Sequence, residues 1–259
     1  MARFTDKTAF VTGGTSGIGR ATVERLIAEG ARVFTTGREP KGVAQMQAEL
    51  GSAVTVLAVD ALDLEAQRQV IDQAGKQLGG IDIAVLNAGV SDWRPIDAWD
   101  EEGFDRVFDI NVKAPFFALQ ALLGHLRQGA SVVFTASNAA HGGFAGGSVY
   151  GASKAAVSVM AQSLSADLMA RGIRVNAISP GPTDTALFTK LGIPAEHYDA
   201  AMRDVVADIP AGRMSDPAEV AGAIAFLASD EAAFAHGTDL IIDGGVTRLH
   251  GADAPAPAA

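Results

Sequence analysis

The sequence predicts an α/β fold of the doubly wound type, a seven-stranded parallel sheet with helices on both faces. Short runs of β-branched and aliphatic residues alternate with longer segments of helical period, which is the pattern of successive βαβ units. Most of the short runs end in Gly, Asn, Asp or Pro, residues that stop strands. The connections are too short to hold a second domain.

The strand candidates, in order, are Thr8–Thr12, Arg32–Thr36, Val54–Val59, Ile83–Leu86, Ser131–Thr135, Arg174–Ile178 and Asp239–Ile242. Helical segments are expected near 17–29, 41–50, 63–78, 101–126, 150–171 and 216–228, joined to the strands by right-handed crossovers. With 259 residues and 48% hydrophobic content, the chain can bury one full core, so residues 1–249 read as a single domain. From Thr183 to Ala211 the alternation fails, and apolar Leu187, Phe188, Leu191, Ile193 and Met202 are separated by Gly192 and Pro194. That stretch, 183–211, reads equally as a flap over a site and as a helical insertion packed on the body. The Ala/Pro-rich tail, 250–259, is expected to be disordered.

Composition removes several function classes. A net charge of −10 with no Lys/Arg-clustered face argues against nucleic acid as a partner. The chain has no cysteine, and its histidines at 125, 141, 197, 236 and 250 show no ligand spacing, so no metal is expected. The start, Met1-Ala2-Arg3-Phe4-Thr5-Asp6-Lys7, lacks a signal-peptide pattern, and no apolar run is long enough to span a membrane. A cytoplasmic protein acting on small molecules is the expectation.

The first strand runs into Thr12-Gly13-Gly14-Thr15-Ser16-Gly17-Ile18-Gly19, followed by helical residues. Glycines at 13, 17 and 19 let the backbone turn tightly and approach a pyrophosphate, while the helix start supplies free N–H groups and partial positive charge. The spacing G-x3-G-x-G differs from G-x-G-x-x-G, and alone it is also compatible with an ordinary strand-to-helix turn. Its place after the first strand favours a dinucleotide site. Position 37, twenty residues past Gly17, is where an acidic residue would hold the ribose 2′-hydroxyl of NAD(H). Gly37 and Arg38 stand there instead, which removes a repelling anion and adds a guanidinium for a 2′-phosphate. NADP(H) is preferred on this reading and NAD(H) remains possible, with Glu39 then taking the acidic role.

Tyr150 and Lys154 lie four apart on one helix face. An ammonium beside a phenol stabilises the phenolate and is expected to lower the tyrosine pKa, so the pair can pass a proton. Ser137, just past the fifth strand, is placed to hold a substrate oxygen while Tyr150 gives or takes the proton.

Together these motifs resemble the short-chain dehydrogenase/reductase family. The residues that carry the likeness are Thr12-Gly13-x-x-x-Gly17-x-Gly19, Asp60, Asn87-Ala88-Gly89, Asn111, Ser137, Tyr150-x-x-x-Lys154, Pro180-Gly181 and Asp243-Gly244-Gly245, and it spans roughly Phe4 to Leu249. The resemblance implies a Rossmann-like fold and an oxidoreductase that moves hydride between a nicotinamide and a carbonyl or alcohol. It assigns Tyr150 as acid/base, Ser137 as carbonyl polariser, Lys154 as the group that lowers the Tyr pKa and binds the nicotinamide ribose, and Asn111 as holder of a relay water. It also implies cofactor contacts from Thr15, Ser16 and Ile18 in the turn, Asp60 and Ala61 at the adenine, Asn87, Ala88 and Gly89 beneath the cofactor, and Pro180, Gly181, Thr183 and Thr185 near the carboxamide and phosphates. Pro182 and Thr183 stand where apolar residues are more usual, which softens the carboxamide assignment. A homo-tetramer is implied too, although Phe104, Val107, Phe108, Phe116, Phe117, Leu119 and Leu122 are equally explained by packing on the sheet.

A catalytically idle dinucleotide-binding protein that senses redox state is the competing class, and the complete set Asn111, Ser137, Tyr150 and Lys154 argues against it. Val90, Trp93, Asn138, Phe144 and the flap residues Leu187, Phe188, Leu191 and Met202 suggest a mainly apolar substrate cavity. His141, four residues past Ser137, reads as a solvated loop histidine in preference to a substrate contact.

Overall fold

The computed structural model describes residues 2–185, 195–249 and 251. Seven strands, β1 (Thr8–Thr12), β2 (Arg32–Gly37), β3 (Val54–Ala58), β4 (Ile81–Leu86), β5 (Leu126–Thr135), β6 (Arg174–Pro180) and β7 (Asp239–Ile242), form one sheet in the order β3-β2-β1-β4-β5-β6-β7. Every neighbouring pair is parallel. The helices are α1 (Gly17–Ala28), α2 (Pro40–Leu50), α3 (Leu64–Leu78), α4 (Glu101–Phe108), α5 (Ala114–Leu122), α6 (Ser148–Leu168), α7 (Ala195–Ala207) and α8 (Pro217–Ala228).

The period-two alternation of the central strands divides their side chains between two cores. Phe10, Ala84, Leu86, Val132 and Phe134 face Ile71, Leu119, Leu122 and Val157 of α3, α5 and α6. Ala9, Val11, Ile83, Val85 and Val133 face Val23, Leu26, Val220 and Ile224 of α1 and α8. Because strands buried on both faces need apolar residues at every position, these segments read as continuous apolar runs. Each helix lays an apolar stripe on one of these layers.

Two expected elements differ. The helix anticipated over 101–126 is broken: α4 and α5 are separated by a π-helical turn, Asp109–Lys113. Pro115 explains the break, since it has no N–H to offer the carbonyl of Asn111 four residues back, and the hydrogen-bond ladder must slip there. That helix also ends earlier, because residues from Leu126 onward already pair as β5, beginning with Leu126 beside Ile81. In the stretch expected to be a flap or insertion, Thr183 bridges to Ser215 and α7 occupies Ala195–Ala207. Leu187, Phe188, Leu191, Ile193 and Pro194 lie outside the described residues, as do 250 and 252–259 of the tail.

The chain leaves β1 towards β2 and β3 on one side and returns at β4 on the other. A crevice therefore opens beyond the carboxyl ends of β1 and β4, the position at which open α/β sheets bind ligands. The packing that supports it passes through Phe134, fully buried on central β5. Phe134→Ala should lower the unfolding free energy by about 3–5 kcal/mol, read as a shift in the denaturant midpoint at unchanged slope.

Candidate active site

Three turns beyond the strand ends build the site. After β1, Gly13 and Gly17 adopt positive φ of 68° and 52°, open to glycine at little cost. A Cβ on Gly19 would lie 2.2 Å from the Gly13 carbonyl oxygen and 2.5 Å from Asn87 Nδ2. The turn is thus folded onto itself and onto the end of β4. Ser16 stands at the N-cap of α1 without a side-chain capping bond, and the first turn carries no acidic residue. The leading N–H groups of α1 therefore remain available to an anion.

After β4, Thr12 Oγ1 accepts the N–H groups of Asn87 and Ala88, both at 3.0 Å, and Asn87 Nδ2 donates to the carbonyls of Thr12 and Gly13 at 3.3 Å. Gly89 forms the floor next to these: a Cβ there would sit 3.1 Å from Asn111 Oδ1 and 3.2 Å from Lys154 Nζ. Thr12, Ala61, Gln67 and Ala88 share the lining of a small cleft beside this floor. Ala61 is held by Gln67, whose Nε2 donates to its carbonyl at 2.5 Å. Asp60, exposed at the end of β3, accepts from the Leu62 N–H at 2.9 Å.

At the outer end of the crevice Thr15 lies so close to Gly37 that a Cβ on residue 37 would be 2.4 Å from Thr15 Oγ1. Arg38 is exposed, and its Nε donates to Glu39 at 2.9 Å. At the opposite end Pro180 closes β6 and Gly181 passes beneath Asp243, with room for no Cβ. Thr183 is buried with its hydroxyl committed, donating to the Gly181 carbonyl at 3.0 Å and accepting from Ser215 at 2.9 Å. The Thr183 hydroxyl thus has no proton left to donate to a ligand. Thr185 lies over the glycine turn, 3.2 Å from where a Cβ of Gly17 would be.

The four expected catalytic residues come together at the ends of β4 and β5. Asn111 sits in the π-helical turn, 1% exposed. Its Oδ1 accepts the Val90 N–H at 2.8 Å, while Nδ2 donates to the Val90 carbonyl at 2.9 Å and to Ser153 Oγ at 3.0 Å. Ser153 in turn donates to the Tyr150 carbonyl at 2.7 Å. The Asn111 side chain thus ties the loop after β4 to the start of α6, and its amide is fully used. Ser137, two residues past β5, accepts the Ala139 N–H at 3.2 Å. Tyr150 is in the first turn of α6, half-buried, and Lys154 one turn further is buried, its Nζ donating to the Thr135 carbonyl at 2.8 Å.

Burial pushes the Tyr150 phenol above its usual range, and hydrogen bonds from Ser137 and Ser91 draw it partly back. Burial lowers the Lys154 ammonium to about 8. In the free protein the Lys154 ammonium donates to the Thr135 carbonyl, and the hydrogen bonds that act on the phenol come from the two serines. The arrangement keeps a protonated phenol at neutral pH, a proton donor held beside a cleft.

Sequence reasoning missed Ser91, Ser153 and Gln67. Ser91 was findable from its position in the loop after a central parallel strand, and Ser153 from its place between Tyr150 and Lys154. His141 is the exposed loop residue expected, and it is also hydrogen-bonded. Its Nε2 lies 2.9 Å from Asp239 Oδ2 and 3.1 Å from Ser179 Oγ, fastening the loop after β5 to β6 and β7. Trp93 and Phe144 form an aromatic wall: the Trp93 ring is 5.6 Å from that of Tyr150 and 6.3 Å from that of Phe144. Met202 is half-buried on α7. Among the described residues no cluster of three His, Cys, Asp or Glu is placed to hold a metal ion, and no helix is long and apolar enough to cross a membrane.

A family model described as enoyl-(acyl carrier protein) reductase matches residues 13–247, and one curated relative, from a Cladobotryum species, and a solved structure from Serratia marcescens that are similar to the chain bear the name short-chain dehydrogenase/reductase. The chain belongs to the short-chain dehydrogenase/reductase family. It is 34% identical over 254 residues to a galactitol 2-dehydrogenase of Agrobacterium fabrum, covering 94% of this chain and 98% of that protein. It is 35% identical over 252 residues to a cis-4-hydroxycyclohexanecarboxylate dehydrogenase of Sinomonas cyclohexanicum, covering 95% and 98% respectively. The solved structure of a levodione reductase superimposes with a TM-score of 0.89 at 32% identity, covering 96% of this chain and all of that one. Short-chain dehydrogenases/reductases are NAD(P)-dependent oxidoreductases that interconvert alcohols and carbonyls, and this chain is one of them.

The buried ammonium of this short-chain dehydrogenase/reductase has a measurable consequence. Its folded pKa of about 8 lies below the ordinary 10.5, so the unfolded chain binds the proton more tightly. Lys154 therefore disfavours folding most below about pH 8, and the protein regains about 3 kcal/mol as pH rises from about 8 to 10.5. The stability difference between wild type and Lys154→Met, measured by denaturant unfolding, should climb over that window in favour of wild type. A difference that stays flat would contradict the assignment.

Proposed function

We propose that the protein is an NADP(H)-dependent carbonyl reductase and alcohol dehydrogenase in which Tyr150 is the general acid/base. The observation that carries the reading is the convergence of Tyr150, Ser137 and Lys154 on the crevice beyond β4 and β5. A bound nicotinamide supplies or accepts hydride at the substrate carbon. The chain's own residues handle the oxygen: Ser137 holds it by hydrogen bond, and Tyr150 gives it a proton in reduction or removes one in oxidation. Lys154, at the cleft floor beside Gly89, reaches towards the nicotinamide ribose. Gly13, Ser16, Gly17, Ile18 and Gly19 cradle the pyrophosphate, Asp60 and Ala61 meet the adenine, and Asn87, Ala88 and Gly89 lie beneath the nucleotide. Pro180, Gly181, Thr183 and Thr185 border the carboxamide end.

Preference for NADP(H) rests on Gly37 and Arg38, which put no acidic side chain and a guanidinium where a 2′-phosphate would lie, with the Thr15 hydroxyl packed beside Gly37. NAD(H) dependence is the second reading, and one observation favours it: Glu39 already engages Arg38 in the free protein. The Trp93–Phe144 wall supports a substrate with an apolar frame bearing a ketone or secondary alcohol. Exposed apolar residues support association into a homo-tetramer. Phe104, Phe116 and Val159 are exposed on α4, α5 and α6, and Phe226 and Phe234 are exposed on and after α8.

Fluorescence titration with NADPH and NADH side by side tests the cofactor. NADPH should bind more tightly, and Arg38→Ala should weaken it by about 10- to 100-fold, the worth of a charge-assisted hydrogen bond, while leaving NADH unchanged. Tyr150→Phe should reduce turnover by about 10²–10⁴-fold on whichever ketone a reductive screen identifies, with NADPH affinity retained. Turnover that survives this change would remove Tyr150 from the chemistry.

A further inference from the structure

We propose that His141 is a positioning residue for the reaction: its ring, bonded to Asp239 and Ser179, fixes the single turn of chain that braces Ser137 against the start of α6. The inference rests on the reading of Ser137 and Tyr150 as the groups that handle the substrate oxygen. Its first support is how little chain lies between the ring and the chemistry. Residues 138–140 form one 3₁₀ turn capped by Ser137, whose carbonyl accepts the Ala140 N–H at 3.0 Å and whose Oγ accepts the Ala139 N–H at 3.2 Å. The Asn138 carbonyl accepts the His141 N–H at 2.9 Å. The turn also packs on α6: a Cβ on Gly151, next to Tyr150, would lie 2.8 Å from the Ala139 carbonyl oxygen. The place of this turn therefore sets Ser137 relative to Tyr150.

The second support is the anchor itself. Asp239 opens β7 with a buried side chain, and Ser179 is fully buried on β6. His141 Nε2 lies 2.9 Å from Asp239 Oδ2 and 3.1 Å from Ser179 Oγ, and Ser179 Oγ donates to the same Oδ2 at 3.0 Å. A carboxylate can only accept, so Nε2 carries the proton of its bond to Asp239. The one proton of Ser179 goes to the carboxylate, which leaves the serine oxygen as a second acceptor for the ring. Asp239 Oδ1 is buried with no partner, so among the described residues the carboxylate is held by His141 and Ser179 alone. A buried charge with two donors binds each of them firmly.

The third support is what lies on either side of the turn. Upstream, the Ala136 N–H donates to the Ile178 carbonyl at 2.7 Å, so the chain enters the turn already fixed to β6. Downstream stand Gly142 and Gly143, both exposed, and two successive glycines impose little conformation of their own. Of the side chains from Asn138 to Gly143, among the described residues only that of His141 is hydrogen-bonded to a group beyond the turn and its cap. The aromatic wall at Phe144 lies past the glycine link, so the His141 ring is the anchor on this side. It acts through Ser137 and has no need to touch substrate or cofactor.

His141→Leu removes the ring N–H, and His141→Gln keeps an N–H donor near the same place. On the ketone that the reductive screen identifies, His141→Leu should lower kcat by about 10- to 100-fold, the scale of a small misplacement of a reacting group, with KM and cofactor affinity held within about twofold. His141→Gln should recover most of that loss. Should the stranded Asp239 carboxylate keep His141→Leu from folding, His141→Leu/Asp239→Leu removes both partners and carries the same test. A kcat within about twofold of wild type in the folded variant overturns the proposal, and so does a loss that His141→Gln leaves in place. Hydrogen exchange needs no substrate: the amides of Ala139, Ala140 and His141 should quicken in these variants by at least about tenfold more than those of Val132, Val133 and Phe134 in β5. Equal quickening at both places also overturns it. The two readings thus fail separately, since surviving turnover in Tyr150→Phe would sink the acid/base role and leave the exchange result standing.

Discussion

β1 and β4 lie side by side at the centre of the sheet, and the chain leaves them in opposite directions. That reversal leaves their carboxyl ends uncovered, and every residue of the site is placed by reference to it. Thr12 and Asn87 hold the opening in shape. One hydroxyl at the end of β1 accepts two successive N–H groups from the turn after β4, and the Asn87 amide returns two bonds to the first turn. These contacts satisfy backbone groups that would otherwise be buried without partners, which costs about 1–3 kcal/mol each. They also explain why Gly19 tolerates no side chain: the first turn is pressed onto the second. The dinucleotide cradle and the cleft floor are thus one folded unit, shared by two strands that are distant in sequence.

From that unit a chain of polar contacts runs to the chemistry. Asn111 fastens the loop after β4 and, through Ser153, the first turn of α6. Burial then acts on the two titratable groups of α6 in opposite senses, since it disfavours the charged form of each. The phenol rises and the ammonium falls. In the free protein Tyr150 therefore keeps its proton more firmly than its ordinary chemistry requires, and the correction comes from neutral hydroxyls. A neutral donor placed at the phenol oxygen favours the phenolate without adding a charge that would itself need burying.

The sheet was legible because buried parallel strands are continuous apolar runs, and each predicted strand overlaps the observed one. Where β5 was misread, the reason is local. Arg127 and Gln128 at its start are polar, Gly129 has no side chain, and all three are at least partly exposed, so they lack both the apolar run and the alternation that mark a strand. The π-helical turn was illegible as a conformation, although its cause, Pro115, stood in plain view. The motif glycines and the Asn111, Ser137, Tyr150 and Lys154 set could be named from the chain. What could not be read was where their hydrogen bonds go. The Asn111 amide, the Lys154 ammonium and the His141 ring all spend their bonds on groups 19 to 98 residues away, and no periodicity reports such partners. Nor did spacing reveal that Arg38 would be met by its own neighbour Glu39.

The same geometry separates what is fixed in the site from what is free to vary. Hydride and proton chemistry need groups held to a fraction of an ångström, and those groups sit on strand ends and on α6, tied to backbone by bonds of 2.7–3.2 Å. The substrate-facing wall is carried instead by two loops, after β4 and after β5, that lean on each other through Arg94 and Gly146 and through the Trp93 and Phe144 rings. Loops on a rigid scaffold tolerate change, so substrate preference can alter there without disturbing the proton donor. Trp93 is the exception. Its ring belongs to the wall and its N–H donates to the Ser91 hydroxyl, so a substitution that reshapes the pocket at this one position also frees a polar group of the loop after β4.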